Sequence, residues 1–205
     1  MKVLMINGSP HKQGTTYRAL KELADTLKGN GVDSQILNIG SENIFGCSAC
    51  GACSKLGKCV KNDIVNDVID MIEQADGLIV GSPVYYAGLN GTLKCLLDRV
   101  FYARKSFDGK PAAAIAVARR AGTTATVDMI NKYFMISNMP IVSSQYWNLA
   151  FGSNANQVEQ DEEGMQTMRT IGNNMAWLIK AIDCAKKNGI ELPKREVGVR
   201  TNFIK

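Results

Sequence analysis

Short apolar runs alternate with amphipathic segments along this chain. Almost entirely apolar runs, typical of strands buried on both faces, occupy Val3 to Ile6, Gly77 to Ser82 and Ala112 to Ala118. Two further strand-like runs cover Asp33 to Asn38 and Ile141 to Tyr146. Apolar residues at intervals of three and four predict the intervening helices, which lie near residues 15–28, 63–74, 90–103 and 124–137, with a long last helix beyond Gly164 that carries a stripe of methionines.

Five buried strands interleaved with five helices predict a doubly wound α/β fold, since no hairpin signal separates the strands. Such a fold has a parallel sheet with helices on both faces. The length of 205 residues and the hydrophobic content of 45% favour a single domain over residues 1–205. In parallel sheets of this kind, ligands bind beyond the carboxyl ends of the strands, where the winding direction reverses.

Charge and the chain start limit the classes of function. A net charge of +5 is modest and argues against a nucleic-acid surface. The apolar run after Lys2 is only four residues long, too short for a signal peptide, and no stretch reaches the ~20 apolar residues of a membrane span. We therefore expect a cytoplasmic protein with no membrane contact. In that reducing compartment, the six cysteines are metal ligands, redox groups or core residues rather than a disulfide framework.

The loop after the first strand has the composition of a phosphate-binding loop. Gly8 and Gly14 let its backbone bend, Ser9, Thr15 and Thr16 offer hydroxyl donors, and a helix begins where it ends. Neither the Walker A pattern nor Gly-x-Gly-x-x-Gly is present. The loop therefore predicts a site for a mononucleotide phosphate. The alternative is an ordinary strand-to-helix turn in which Thr15 caps the helix.

Two segments together carry a family resemblance: Gly8-Ser-Pro-His-Lys-Gln-Gly-Thr-Thr16 and Gly81-Ser-Pro-Val-Tyr-Tyr-Ala-Gly88. Over roughly residues 1–150 the chain resembles the NADPH-dependent FMN reductase family of flavodoxin-like proteins. The resemblance implies a flavodoxin-like sheet with strand order 2-1-3-4-5 and FMN bound by three loops. The implied phosphate contacts are Ser9, His11, Gly14, Thr15 and Thr16; the implied flavin contacts are Pro83, Val84, Tyr85, Tyr86 and Gly88; the implied third loop contributes Arg119, Ala121 and Gly122. The alternative for either tyrosine is that it only anchors its loop by packing and a phenol hydrogen bond.

Four of the six cysteines, Cys47, Cys50, Cys53 and Cys59, are spaced C-x2-C-x2-C-x5-C. This spacing lets several sulfurs converge on one site, although it differs from the ferredoxin run. It resembles the compact cysteine motif of archaeal-type iron–sulfur flavoproteins, which implies a 4Fe–4S cluster with these four cysteines as ligands. Zinc, free thiols and redox-active thiols remain alternatives. We expect the isolated Cys95 and Cys184 to be small core residues.

Hydrolytic chemistry is disfavoured, because the only histidine, His11, lies in the phosphate loop and no cysteine begins a Cys-x5-Arg motif. The resemblance implies an FMN-dependent oxidoreductase that oxidises NAD(P)H and passes electrons to a small molecule or a protein. One alternative is an iron–sulfur flavoprotein that carries electrons between proteins; another is a non-redox module that binds a phosphorylated ligand. The resemblance also implies a homodimer in which a second subunit completes the flavin site.

Overall fold

A parallel β-sheet forms the middle layer of the fold. The computed structural model describes residues 1–103, 106–196, 198–199 and 201–203. The strands of the described chain are β1 (Lys2–Asn7), β2 (Asp33–Asn38), β3 (Gly77–Tyr85), β4 (Gly88–Leu89), β5 (Ala112–Ala118) and β6 (Leu149–Phe151). The sheet runs β2-β1-β3-β5-β6 with parallel pairing throughout, and β4 pairs antiparallel with β3 outside this path. Its parallel strands therefore follow the predicted order 2-1-3-4-5, and the flavodoxin-like fold is confirmed.

Helices cover both faces of the sheet. They are α1 (Thr15–Gly29), α2 (Cys53–Leu56), α3 (Val65–Gln74), α4 (Gly91–Ala103), α5 (Thr123–Met135), α6 (Ala155–Gln160) and α7 (Glu162–Lys187). One apolar core joins the sheet to α3, α4 and α5, and a second joins it to α1, α6 and α7. This arrangement is the predicted doubly wound one. None of the helices in the described ranges is long and apolar enough to cross a membrane.

The alternation of side chains along each strand explains why both faces need a cover. In β1, Leu4 and Ile6 enter one core while Val3 and Met5 enter the other. All four are buried, which accounts for the uninterrupted apolar run in the sequence. The methionine stripe of α7 is core, as predicted, with Met168 and Met175 fully buried.

The predicted fifth strand, Ile141 to Tyr146, is wrong. Ile141 forms only an isolated bridge with Ala112, and the edge strand is β6, which begins at Leu149. Polar side chains divert the intervening chain: the Ser144 hydroxyl donates to the Tyr146 carbonyl (2.6 Å), and the Asn148 amide donates to the Val142 carbonyl (3.3 Å). Such local bonds compete with strand pairing.

Three smaller predictions also need correction. A hairpin connects β3 to β4, although no hairpin signal was present in the sequence. The short helix α6 precedes the long last helix, in a part of the chain where the sequence predicted no helix. Cys184 is exposed rather than a core residue, because it lies on the outer side of the last turns of α7; Cys95 is partly buried.

Gly40, just after β2, lies against the loop that leaves β1. A Cβ atom at Gly40 would come within 2.1 Å of the Ser9 carbonyl carbon and 2.4 Å of the Pro10 nitrogen. Because these contacts are with backbone, no side-chain rotation can relieve them. The absence of a side chain at Gly40 therefore fixes how closely the two loops approach.

We predict that Gly40→Ala lowers the free energy of unfolding by about 1–3 kcal/mol, the usual cost of overpacking. Gly29→Ala is the matched control, since a Cβ there meets nothing within 4 Å. The control should match the wild type or exceed it by up to about 1 kcal/mol, because alanine favours helix over glycine. Chemical denaturation monitored by circular dichroism measures both values. Equal stability of the two variants would contradict the tight packing at Gly40.

Candidate functional site

Three loops meet at the carboxyl edge of the sheet. The first follows β1, the second is the turn between β3 and β4, and the third lies between β5 and α5. The Gly8 N–H donates to the Gly81 carbonyl (2.9 Å), which joins the first loop to β3. A Cβ at Gly122 would lie 2.7 Å from the Ala87 Cα, so the third loop packs directly on the second. The structure therefore brings the three predicted segments to one edge.

Hydrogen bonds between residues that are close in sequence define the turn of the first loop. The Ser9 N–H donates to the Asn7 side-chain oxygen (3.1 Å), and the His11 N–H donates to the Ser9 hydroxyl (3.2 Å). The Gly14 N–H donates to the His11 carbonyl (3.2 Å). The Asn7 amide is itself anchored by the Asn38 side chain on β2 (2.8 Å). Asn7 is a positioning residue that the sequence analysis missed, because its partner lies on another strand.

Helix α1 begins at this loop without a side-chain cap. Its N-cap residue is Gly14, so the alternative in which Thr15 caps the helix is wrong. The first amides of a helix have no acceptor within the helix and carry the positive end of its dipole. Thr16 is fully buried, and its hydroxyl has no hydrogen-bond partner among the residues that the structure describes. A buried hydroxyl without a partner costs about 1–3 kcal/mol. These groups fit a bound phosphate, which would accept from both kinds of donor.

The second loop is a strained hairpin turn. Tyr86 and Ala87 have positive φ angles of 49° and 57°. This conformation costs residues with a Cβ about 1–2 kcal/mol each, and such strain concentrates at functional sites. The Tyr86 side chain is fully exposed, so the alternative that it anchors the loop by packing is wrong. Tyr85 is 45% exposed, which leaves much of its ring available to a ligand.

Buried polar groups hold the base of this hairpin. The Ser82 hydroxyl donates to the Pro83 carbonyl (2.7 Å) and accepts from the Asn90 N–H (3.0 Å). The Asn90 side chain in turn accepts from the Leu93 N–H in the first turn of α4 (3.2 Å). These hydrogen bonds fix the base of the hairpin below its strained tip. Val84 and Gly88 lie between the base and the tip and are partly buried.

The third loop offers exposed positive charge. Arg119, Arg120 and Ala121 are exposed, and Gly122 has a φ of 85° as the N-cap of α5. No side chain caps α5 either. Two uncapped helix ends and two arginines therefore lie on loops at the same edge of the sheet, which makes this edge favourable for a phosphorylated ligand.

The four cysteines of the second motif line one cavity, together with Arg99 and Tyr102. All four are free thiols. Positive φ angles at Ala49, Gly51 and Gly57 let the loop wrap around this point. In the part of the chain that the structure describes, no three cysteine, histidine or acidic side chains are placed so as to hold one metal ion. The donor set fits a thiolate-ligated centre, but the assignment of these cysteines as metal ligands stays a prediction.

The Cys59 sulfur accepts hydrogen bonds from a buried arginine on another element. The Arg99 side chain donates to its sulfur from Nη2 (3.1 Å) and Nε (3.4 Å). Burial raises the pKa of the Cys59 thiol, but the Lys61 backbone N–H and Arg99 outweigh it and hold the pKa below its ordinary value. Arg99 also forms a buried ion pair with Asp63. The sequence analysis missed both Arg99 and Asp63, because neither lies in a recognisable motif.

The comparisons with known proteins agree with this geometry. A model of the NADPH-dependent FMN reductase family matches residues 1–154. The chain belongs to this family. An iron-sulfur flavoprotein of Methanocaldococcus jannaschii is 30% identical over 193 residues, with 89% of this chain and 99% of that protein covered. An iron-sulfur flavoprotein of Methanosarcina thermophila is 31% identical over 188 residues, with 89% and 97% covered. The predicted family and the closeness to iron–sulfur flavoproteins are therefore confirmed.

Solved structures with low sequence identity support the fold. RosB, solved with a bound flavin-phosphate intermediate, superposes with a TM-score of 0.72 at 12% identity, covering 100% of this chain and 92% of that one. Flavodoxin 1 from Bacillus cereus gives a TM-score of 0.60 at 14% identity, covering 86% and 98%. At these identities the likeness shows the flavodoxin-like fold alone.

We predict that Thr16→Val weakens FMN binding at least tenfold, because a hydrogen bond to a charged group contributes about 1.5–3 kcal/mol. The ligand-free protein should keep its stability or gain about 1 kcal/mol, since the variant removes a buried hydroxyl that has no partner. Flavin fluorescence titration and chemical denaturation measure the two effects.

Thr26→Val serves as the control, because Thr26 lies on the same helix about three turns after Thr16. Its hydroxyl has a partner, since it donates to the Glu22 carbonyl (2.9 Å). It should lose stability and keep its FMN affinity. A Thr16→Val variant with unchanged FMN affinity would show that the buried hydroxyl faces no phosphate.

Proposed function

We propose that this chain binds FMN at the carboxyl edge of the sheet. The observation that carries the proposal is the uncapped start of α1 combined with the buried, unpartnered hydroxyl of Thr16. The phosphate is held by the α1 amides and by Thr15 and Thr16, within the turn made by Ser9, His11 and Gly14. The flavin ring lies along Pro83 to Gly88, with Arg119, Ala121 and Gly122 as the third contact. The family match supports this placement.

In this proposal, the FMN-bound protein oxidises NAD(P)H and passes the electrons to an acceptor. FMN supplies the redox chemistry, accepting two electrons from the nicotinamide and releasing them singly or in pairs. The chain orients the ring and leaves one face open. Exposed Tyr86 borders that face, and Arg119 and Arg120 offer charge to the phosphates of a dinucleotide. An NADPH azoreductase of a Bacillus strain, 30% identical over 120 residues and 58% of this chain, supports nucleotide-dependent reduction.

Mixing FMN-loaded protein with NADH or NADPH under anaerobic stopped flow should bleach the flavin absorbance with at least one of the two nucleotides. Dithionite provides the control, because it reduces flavin without a nucleotide site. Bleaching by dithionite but by neither nucleotide would contradict the reductase activity. It would favour the electron carrier. A protein that takes up no FMN would instead favour the non-redox phosphate-binding module.

A second candidate function is electron transfer through an iron–sulfur cluster. Its specific support is that Cys47, Cys50, Cys53 and Cys59 line one cavity, together with relatives named iron-sulfur flavoprotein. Four thiolates are the donor set of a 4Fe–4S cluster. The cluster would let electrons leave the flavin one at a time.

Anaerobically purified and reconstituted protein should contain iron and acid-labile sulfide in equal amounts. Cys50→Ser should lose most of both, whereas Cys184→Ser, at an exposed cysteine outside the motif, should keep them. Zinc in place of iron, or no metal in either protein, would contradict the cluster.

We also propose that the chain forms a homodimer that covers the flavin. Tyr86 is fully exposed beside the proposed ring site. In the segment before β6, the rings of Trp147 and Tyr146 contact each other at a tilt and are 60% and 54% exposed. A two-fold axis at this edge would shield both flavins at once. Light scattering of FMN-loaded protein should give about twice the 22.3 kDa chain mass. A monomer that still turns over NAD(P)H would contradict the dimer.

A further inference from the structure

Arg99 is a buried cation that neither the FMN site nor the fold core explains. Its side chain is 1% exposed and lies on α4, among the apolar residues that face the sheet. Burying a charge costs several kcal/mol unless the charge is paired and hydrogen-bonded. Replacing a buried ion pair by well-packed apolar residues is commonly neutral or stabilising, so packing alone does not require an arginine here. The contacts of Arg99 therefore point to a role at the cysteine cavity.

The guanidinium connects three separate parts of the cysteine loop. Two of its nitrogens donate to the Cys59 sulfur, at 3.1 Å and 3.4 Å. Nη1 donates to the Phe45 carbonyl (3.1 Å), just before the first cysteine of the motif. Asp63 accepts from both terminal nitrogens, including Nη2 at 2.9 Å. Arg99 thus uses its planar fork on both a carboxylate and a sulfur, which lysine cannot do.

Asn66 holds the backbone of the same cysteine. Its side-chain oxygen accepts from the Cys59 N–H and its amide donates to the Cys59 carbonyl, both at 2.9 Å. Cys59 is therefore held through its backbone by α3 and through its sulfur by α4. Cys47 and Cys50, by contrast, are exposed. The Cys47 sulfur accepts only from the nearby Ala49 N–H (3.4 Å), whereas the Cys59 sulfur is oriented by a side chain from outside the loop.

We propose that Arg99 is a positioning residue for an iron–sulfur cluster: it orients Cys59 as the first ligand and donates hydrogen bonds to its sulfur. This inference rests on the proposed cluster. Hydrogen bonds to cluster sulfurs raise the reduction potential, because they stabilise the reduced state, which carries more negative charge. The flavin is then paired with a cluster that accepts its electrons more readily.

The double variant Arg99→Met with Asp63→Asn isolates the hydrogen bonds. It removes one positive and one negative charge, so the net charge of the site is unchanged, and it leaves no buried carboxylate unpaired. Asp63→Asn alone keeps the donors of Arg99. Arg169→Met is the matched arginine control, since Arg169 pairs with Glu22 on α1, outside the cysteine cavity. All four proteins are purified and reconstituted anaerobically, and their folding is checked by circular dichroism.

Iron content and the cluster midpoint potential, from a redox titration followed by electron paramagnetic resonance, are the readouts. We expect wild type, Asp63→Asn and Arg169→Met to hold the same iron. The double variant should lose iron or retain a cluster whose one-electron reduction is at least tenfold less favourable, a shift of about 59 mV. An unchanged potential at full iron content in the double variant would overturn the inference.

Loss of iron from Asp63→Asn as well would also overturn it, because the effect would then belong to the ion pair. Iron-free wild type would refute the proposed cluster and this inference together. The wild-type arm therefore distinguishes the two failures.

Discussion

The start of α1 lies against the carboxyl edge of the sheet, no side chain of the described residues caps it, and the surrounding structure keeps it there. Gly40 lets β2 approach the backbone of Ser9 and Pro10, and Gly81 has no side chain where Thr16 and Leu20 approach β3. In this same first turn, the buried hydroxyl of Thr16 has no hydrogen-bond partner among the described residues. A protein that gained only stability from this region would cap the helix and satisfy the hydroxyl. A bound anion would accept hydrogen bonds both from the first amides of the helix and from the Thr16 hydroxyl.

The other loops depend on that position. The hairpin tip at Tyr86 and Ala87 is strained, but its base is fixed by Ser82 and Asn90 and its flank by contact with Gly122. Rigid support allows a strained, exposed aromatic tip to persist. The cysteine loop follows the same principle in part, because Cys59 is held by α3 and α4 while Cys47 and Cys50 are exposed. Each proposed ligand contact thus lies on a loop that is anchored to helices and strands.

Much of the fold followed from local pattern, because buried parallel strands and amphipathic helices have distinct periodicities. The phosphate loop and the cysteine motif were also visible, since their residues are close in sequence. Contacts between distant segments could not be predicted from the sequence: Arg99 contacts Cys59 across 40 positions, and Asn7 contacts Asn38 across 31. The edge strand was misplaced because Ser144 and Asn148 redirect the backbone by side-chain bonds. The hairpin at Tyr86 was missed because its turn lacks the usual glycine or asparagine.

The central claim is that the start of α1 binds the phosphate of FMN. Riboflavin has the same ring system without the phosphate, so calorimetric titration of the ligand-free protein with FMN and with riboflavin tests the claim directly. We predict that FMN binds at least about 100-fold more tightly, a difference of about 2.8 kcal/mol. Equal affinity for the two flavins would contradict the account, because the phosphate would then make no contribution to binding.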